Sequence, residues 1–179
     1  MKKELSHKEY RRKRHKRNVE NILLPIFISA IVLVFLVFLL DYISFDIRTT
    51  LGSSALIFSS FASSAFILFL MPYSKAAKRT RFIKSYILAA LVGYGGFVLG
   101  GYLNFYLVIG LSFFVVSLLL FETDSEHPPA LGITMAFLLF RVPFSGILIV
   151  LLGVVILVVA KTLLQTIGIA VKSGTIHIR

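Results

Sequence analysis

One uncharged stretch of 19 residues, at positions 22–40, restricts the fold of this chain more than any other feature. About 20 apolar residues in a helix, at about 1.5 Å each, span the hydrocarbon core of a bilayer. A cleaved signal peptide has an apolar region of only about 7–15 residues before a small-residue cleavage site. This stretch is longer and runs directly into Asp41. We therefore expect it to remain in the protein as a membrane helix.

Composition extends this conclusion to the whole chain. Apolar residues make up 58% of the sequence and charged residues 15%, whereas soluble proteins have about 45–50% and about 25%. The chain has six apolar stretches, at residues 22–40, 51–72, 85–103, 105–121, 129–140 and 144–160. The fifth would form only about 18 Å of helix, less than a bilayer core of about 30 Å. The sequence predicts an all-α polytopic membrane protein with six transmembrane or partly spanning helices.

The basic residues predict the orientation of these segments. The net charge is +11, and 17 of the 19 Lys and Arg residues lie in the N-terminal arm, in one loop near residue 80, or near the C-terminus. Placing all of these in the cytoplasm requires an even number of crossings and leaves only Arg48 and Arg141 outside. We therefore predict a basic cytoplasmic arm (1–21), a membrane domain (22–161) and a cytoplasmic tail (162–179) in a plasma-membrane protein.

The arm is basic on every side of a helical wheel, so it has no apolar face to lie in a membrane. Such a segment attracts anionic lipid headgroups, at about 1 kcal/mol per basic residue near the surface. Nucleic-acid binding is disfavoured, because Tyr10 is the one aromatic residue of the arm and no recognition fold is attached to it.

An internal repeat links the second and fifth segments. Residues 61–72 match residues 132–143 at a constant offset of 71, with five of twelve positions identical. These segments would cross the membrane in opposite directions, which predicts a three-plus-three inverted repeat. In transporters with such repeats the solute site lies near the midplane, between interrupted helices. The clustered serines of segment two and the prolines before segment five predict that both are broken.

The prolines also predict a helix start. Pro128 and Pro129 remove two backbone donors and disfavour the α conformation just before them, so a helix should begin at Pro129 or just after it. The backbone N–H groups of residues 130–132 would then be free and would attract an anion. Hydroxyl donors would come from Ser63, Ser64 and Thr134.

Two motifs carry a family resemblance. The stretch at residues 127–134, His-Pro-Pro-Ala-Leu-Gly-Ile-Thr, resembles the signature of the HPP family of integral membrane proteins. Residues 61–65 and 72–77, followed by Arg79 and Arg81, resemble that family's upstream segments, although Ala62 stands where glycine is usual. Leu131 likewise intrudes into the small residues that follow the prolines. The resemblance implies a small α-helical membrane protein and, from plant plastid members, a role in nitrite transport.

Together these observations predict a transporter or channel for a small inorganic anion, with nitrite as the candidate, and no cofactor or metal. The predicted substrate-binding residues are Ser63, Ser64, His127, Pro128, Pro129, Ala130, Leu131, Gly132, Thr134 and Arg141. The alternative is a membrane anchor or scaffold whose basic arm recruits anionic lipid or a partner. Enzyme activity is not predicted, because the chain has no cysteine and no nucleophile motif near its acidic residues.

Two polar features allow more than one interpretation. His127 could be a partly solvated residue at a helix start, or a gating or proton-coupled group that titrates near neutrality. With Asp124 and Glu126 it could offer three ligands to a metal. The spacing of the three matches no helical metal motif, so we expect a solvated acidic loop instead.

The serines of segment two, the glycines of segment three and Arg141 each allow two interpretations of their role. The serines of segment two are consistent with close helix packing as well as with solute binding. Gly93, Gly96 and Gly100 lie on one face of segment three and predict a packing seam, within the chain or between protomers of a homo-oligomer. Arg141 either extends to the outer interface or turns inward as a fixed cation.

Overall fold

A computed structural model describes residues 26–39 and 51–166 of the chain, together with Leu23 and Tyr42, and the side chains of α2 from Ala55 onward. The described helices are α1 (Ile26–Leu39), α2 (Leu51–Leu70), α3 (Arg79–Leu99), α4 (Phe105–Glu122), α5 (Ala130–Phe140) and α6 (Ser145–Thr166), with a 3₁₀ turn at Lys75–Ala77. The predictions for the basic arm and for the end of the tail lie outside the described residues.

The described elements are all helical, which confirms the prediction of an all-α polytopic membrane protein. By length and hydropathy, α3, α4 and α6 could each cross a bilayer. The shorter apolar helices are α1, the Ala55–Leu70 part of α2, and α5. At 11 residues, α5 is about 16 Å long, so the fifth segment is as short as the sequence indicates. The number of complete crossings stays a prediction.

Two local predictions are wrong. Segment two is one continuous helix of 20 residues and is not broken at its serines. Ser60 and Ser63 donate their hydroxyls to carbonyls of their own helix, at Leu56 and Ser59, and so need no interruption of the backbone. Segment three begins at Arg79 and not at Ser85, because the basic residues that suggested a loop form its first turns.

The short helix α5 lies in the protein interior. It packs against α2, α3 and α4, and its residues Ile133, Ala136 and Phe137 are fully buried. Its neighbour α3 also contacts α4 and α6. The side of α5 that carries Leu131, Met135 and Leu139 remains partly exposed. Because three helices cover the rest of α5, its length need not match the thickness of the bilayer.

Glycines allow this close packing. A Cβ atom at Gly93 would lie 3.0 Å from the Cα atom of Thr134 on α5, and one at Gly96 would overlap the side chains of Ser112 and Leu138. The predicted seam at these two positions therefore lies within the chain. Gly100 does not belong to it, since it caps the C-terminus of α3.

The two ends of the bundle differ in polarity. At one end the 3₁₀ turn, the start of α3, the turn at residues 123–129 and the end of α6 meet through hydrogen bonds. At the other, Arg141 and the end of α3 line one shallow cleft. Lys75 and Glu122 thus belong to the same end, as the predicted topology requires. The assignment of that end to the cytoplasm stays a prediction.

Candidate functional site

The backbone between α4 and α5 presents His127 to the interior. α4 ends in a Schellman motif, in which Ser125 N–H donates to the Leu120 carbonyl and Asp124 adopts a left-handed conformation with φ of 49°. Pro128 follows His127 directly and keeps it out of the α conformation. The chain therefore doubles back after α4 and places the imidazole between α2 and α3.

His127 is fully buried and both of its ring nitrogens have partners. Nδ1 lies 3.0 Å from the Ala76 carbonyl oxygen, and Nε2 lies 2.7 Å from Ser64 Oγ. A carbonyl only accepts, so Nδ1 carries the proton and donates it. In the neutral ring Nε2 then accepts from Ser64. One imidazole thus connects the 3₁₀ turn to α2.

The hydrogen bonds continue from Ser64 to α3. Ser64 Oγ lies 2.7 Å from Tyr86 Oη, and Tyr86 Oη lies 2.9 Å from the Ser60 carbonyl oxygen. Ser64 and Tyr86 are both fully buried. We refer to His127, Ser64 and Tyr86 as the polar chain.

Aromatic rings exclude water from the polar chain. Phe82 meets the imidazole of His127 edge to face, with centroids 5.2 Å apart, and Phe61 stacks on Tyr86 at 5.3 Å. Burial lowers the pKa of His127 from 6.5 to about 4; the Ala76 hydrogen bond opposes this change and the positive charge of Lys161 adds to it. The ring is therefore neutral at neutral pH.

This pKa predicts how stability changes with pH. Between pH 6.5 and about 4 the unfolded chain protonates His127 and the folded chain does not, so the stabilisation is complete above pH 6.5 and is lost as the pH falls toward 4. The loss is about 3 kcal/mol at most. We expect the melting temperature of the detergent-solubilised protein, measured by tyrosine fluorescence, to decrease as the pH is lowered from 6.5 to about 4.

The control for this prediction is His127→Gln, whose amide can donate to Ala76 and accept from Ser64 but does not titrate. The difference between the two pH profiles isolates His127 from all other groups. Parallel profiles from pH 4 to 6.5 would contradict the assignment.

A cation beside the polar chain holds the turn at residues 123–129. Arg81, on the first turn of α3, is buried and donates to the carboxylates of Asp124 and Glu126, the latter at 2.9 Å. The two acidic side chains are exposed, Asp124 to 74% and Glu126 to 49%. The expected solvated acidic loop is therefore tied to α3 by one guanidinium.

A second cation binds the 3₁₀ turn. Lys161 on α6 is buried, and its ammonium donates to the Ala77 carbonyl. One turn away, Arg79 donates to Gln165 at 2.6 Å. The 3₁₀ turn is thus held by His127 through one carbonyl and by Lys161 through the next.

The structure brings some predicted site residues together and separates others. Ser64 and His127 are in direct contact, and the 128–130 segment continues from His127. Gly132 lies against Ser60, because a Cβ atom at Gly132 would overlap the Ser60 hydroxyl. Leu131, partly buried, packs at the edge of the core.

Three predicted residues lie away from the polar chain. Ser63 is on the exposed face of α2 and donates to its own helix. Thr134 is buried and donates to the Ala89 carbonyl at 3.0 Å. Arg141 is exposed at the far end of α5, about 16 Å from its start. It caps that helix in a left-handed conformation, with φ of 51°, and does not turn toward His127.

The prediction of free donors at the start of α5 is wrong. The N–H groups of residues 130, 131 and 132 donate to the carbonyls of residues 127, 128 and 129, at 2.9, 3.1 and 3.1 Å. These i to i−3 bonds satisfy groups that an isolated helix start leaves open. An anion could reach them only if the turn unwound.

Sequence reasoning missed three residues of this region. Tyr86 lies in an apolar stretch that gives no sign of a polar role. Arg81 was noted only for the family pattern, although its charge complements the acidic loop. Lys161 was counted only for topology. A cation at the edge of a long apolar run could have signalled a buried partner.

Metal binding finds no support in the described geometry. Among the residues that the structure describes, no three His, Asp or Glu side chains are placed to hold a metal ion. Asp124 and Glu126 face Arg81, while the ring nitrogens of His127 face Ser64 and Ala76.

The comparison with protein families agrees with the two sequence motifs. The model of the family described as HPP, transmembrane region, matches residues 14–172, which is most of the chain. No curated protein and no solved structure matches it.

Proposed function

This chain belongs to the HPP family of membrane proteins, and from that premise we propose that it carries a small inorganic anion, nitrite first, across the plasma membrane. The single observation that supports this is the polar chain, which places three buried polar side chains where α2, α3 and the turn at residues 123–129 meet. Polar groups buried among membrane helices are costly and mark solute pathways.

The described arrangement corresponds to a closed state of such a carrier. Every buried side-chain nitrogen and oxygen in the described residues has a hydrogen-bond partner, and the first N–H groups of α5 are satisfied as well. An anion therefore binds when the turn at residues 123–129 moves away from α2 and α3 and exposes these donors. This requirement favours a carrier over an open channel.

An inverted repeat would provide this movement. Ser64 contacts His127 and Ser60 lies beside Gly132, so α2 and the start of α5 run antiparallel in contact. This is the relation expected of segments two and five in a three-plus-three repeat. With both termini in the cytoplasm, the polar chain lies at the cytoplasmic end of the bundle and not near the midplane, where an inverted-repeat transporter is expected to hold its solute.

The test is nitrite uptake by the full-length protein in liposomes. We expect uptake above that of protein-free vesicles. Ser64→Ala removes two buried contacts, to His127 and Tyr86, and should lower the rate at least tenfold, which corresponds to about 1.4 kcal/mol or more. The matched control is Ser59→Ala, on the exposed face of the same helix, which should transport as wild type does.

Two outcomes would contradict the proposal. No uptake of nitrite, nitrate or chloride would overturn the transport function and favour a scaffold, particularly if deletion of residues 2–17 alone removed the cellular phenotype. Equal uptake by wild type and Ser64→Ala would overturn the site.

A further inference from the structure

The polar chain contains one more hydrogen-bond contact than its neutral groups have protons. Its four contacts join Ala76 to His127, His127 to Ser64, Ser64 to Tyr86, and Tyr86 to the Ser60 carbonyl. A neutral imidazole, a serine and a tyrosine supply one proton each. When Nδ1 donates to Ala76 and Ser64 donates to Nε2, Tyr86 has one proton for two acceptors, Ser64 Oγ and the Ser60 carbonyl. One of these two contacts therefore has no proton.

When His127 is protonated, each of the four contacts has one proton. Nδ1 still donates to Ala76, and Nε2 now donates to Ser64. Ser64 then donates to Tyr86, and Tyr86 to the Ser60 carbonyl, at the separations that the structure already has. Only two hydroxyl hydrogens rotate, and no heavy atom has to move. The geometry therefore accommodates an additional proton without loss of a hydrogen bond.

We propose that His127 is the proton-binding group of a proton-coupled carrier, in which one proton binds at Nε2 with each monovalent anion and is released with it. This rests on the proposed transport function. The proton comes from water while the turn at residues 123–129 is open, and it returns to water on the other side. The charge of the imidazolium is balanced by the anion, so the loaded carrier moves no net charge.

The charges around His127 explain why proton and anion bind together. From α6, Lys161 faces the ring with a positive charge. From α3, Arg81 pairs with Asp124 and Glu126, and this group keeps one negative charge on carboxylates that are exposed to solvent. Burial and the charge of Lys161 together disfavour a proton alone, and the pKa of the ring is about 4.

Of the remaining elements, α4 ends in Glu122, whose carboxylate is exposed to solvent. α2 carries no charged residue, and on the 3₁₀ turn Lys75 is exposed, as is Lys78 just after it. Tyr86 is a neutral partner. An anion beside the ring supplies the missing charge and raises the pKa of His127. By reciprocity, the proton strengthens anion binding by the same factor.

The experiment measures protons and nitrite together. Liposomes containing the full-length protein and internal pyranine receive external sodium nitrite, with the membrane potential clamped by potassium and valinomycin. We expect one proton to enter with each nitrite, at a rate that is independent of the potential. Protein-free vesicles correct for diffusion of neutral nitrous acid. In His127→Gln the number of protons that enter with each nitrite should fall about tenfold, whatever the nitrite rate, while Ser59→Ala should resemble wild type.

The outcomes separate this proposal from the transport function. Nitrite uptake that is driven by an inside-positive potential and brings in no protons would overturn the coupling alone. Acidification by His127→Gln at the wild-type rate would do the same. Absence of nitrite uptake by wild type would overturn transport and coupling together.

A binding measurement covers the case in which His127→Gln does not fold. In a protein whose other histidines (His7, His15 and His177) are glutamine, the ring of His127 is titrated by nuclear magnetic resonance with and without sodium nitrite. Nitrite should raise the midpoint by about one unit, equivalent to tenfold coupling. An unchanged midpoint at saturating nitrite would overturn the proposal.

Discussion

Gly93→Leu should push α3 away from α5 and strongly destabilise the folded protein. A Cβ atom at this position would lie 3.0 Å from the Cα atom and 3.2 Å from the carbonyl oxygen of Thr134, and 3.0 Å from the Cβ atom of Phe137. Two of these neighbours are backbone atoms and cannot rotate away. Overpacking of this kind costs about 3 kcal/mol or more, so the melting temperature of the solubilised protein should fall on the order of 10 °C.

The control is two residues away on the same helix. Gly95 is exposed, and a Cβ atom there would meet nothing within 4 Å. Gly95→Leu should leave the melting temperature unchanged or raise it, because leucine favours a helix over glycine by about 0.8 kcal/mol. The packing of α5 on α3 would be wrong if both variants melted alike.

Removal of both acidic partners of Arg81 should also destabilise the protein. In the variant Asp124→Asn, Glu126→Gln the buried guanidinium loses its two charged acceptors. Asparagine tolerates the left-handed conformation at position 124, so any loss arises from the charge and not from the backbone. We expect a loss of about 2 kcal/mol, because hydrogen bonds to charged groups are worth about 1.5–3 kcal/mol and the carboxylates are partly exposed.

A mutant cycle tests the cause. Arg81→Met removes the buried charge, and in the triple variant it should restore part of the stability that the loss of the carboxylates removes. The melting temperatures of wild type, the two parental variants and the triple variant give the coupling. Strictly additive effects would show that Arg81 does not hold the turn at residues 123–129.

The helices could be predicted from the sequence, because lipid requires long apolar segments with satisfied backbones. The start of α3 and the continuity of α2 could not. At Arg81, a charge that suggested a loop is buried by partners more than 40 residues away in the sequence. In α2, the serines satisfy their hydroxyls within the helix, so a polar cluster in the sequence leaves the backbone intact.

The site was predictable in part. His127 and Ser64 could be selected because one precedes two prolines and the other lies in the matching segment of the repeat. Tyr86 could not, since a tyrosine in an apolar stretch looks like any other packed aromatic residue. The prediction of free N–H donors at the start of α5 was wrong. Prolines remove donors but leave their carbonyls free, and these carbonyls accept the N–H groups of residues 131 and 132.

The two carbonyls of the 3₁₀ turn make a mechanical connection between distant parts of the bundle. His127 binds the oxygen of Ala76 and Lys161 binds that of Ala77, so the ring contact and the ammonium contact are one residue of backbone apart. A rotation or shift of α6 therefore moves the imidazole through the main chain of residues 76 and 77, and no side chain of the turn takes part. Because the contacts use main-chain oxygens, this coupling between α6 and His127 is compatible with any residue at position 76 that keeps the turn folded.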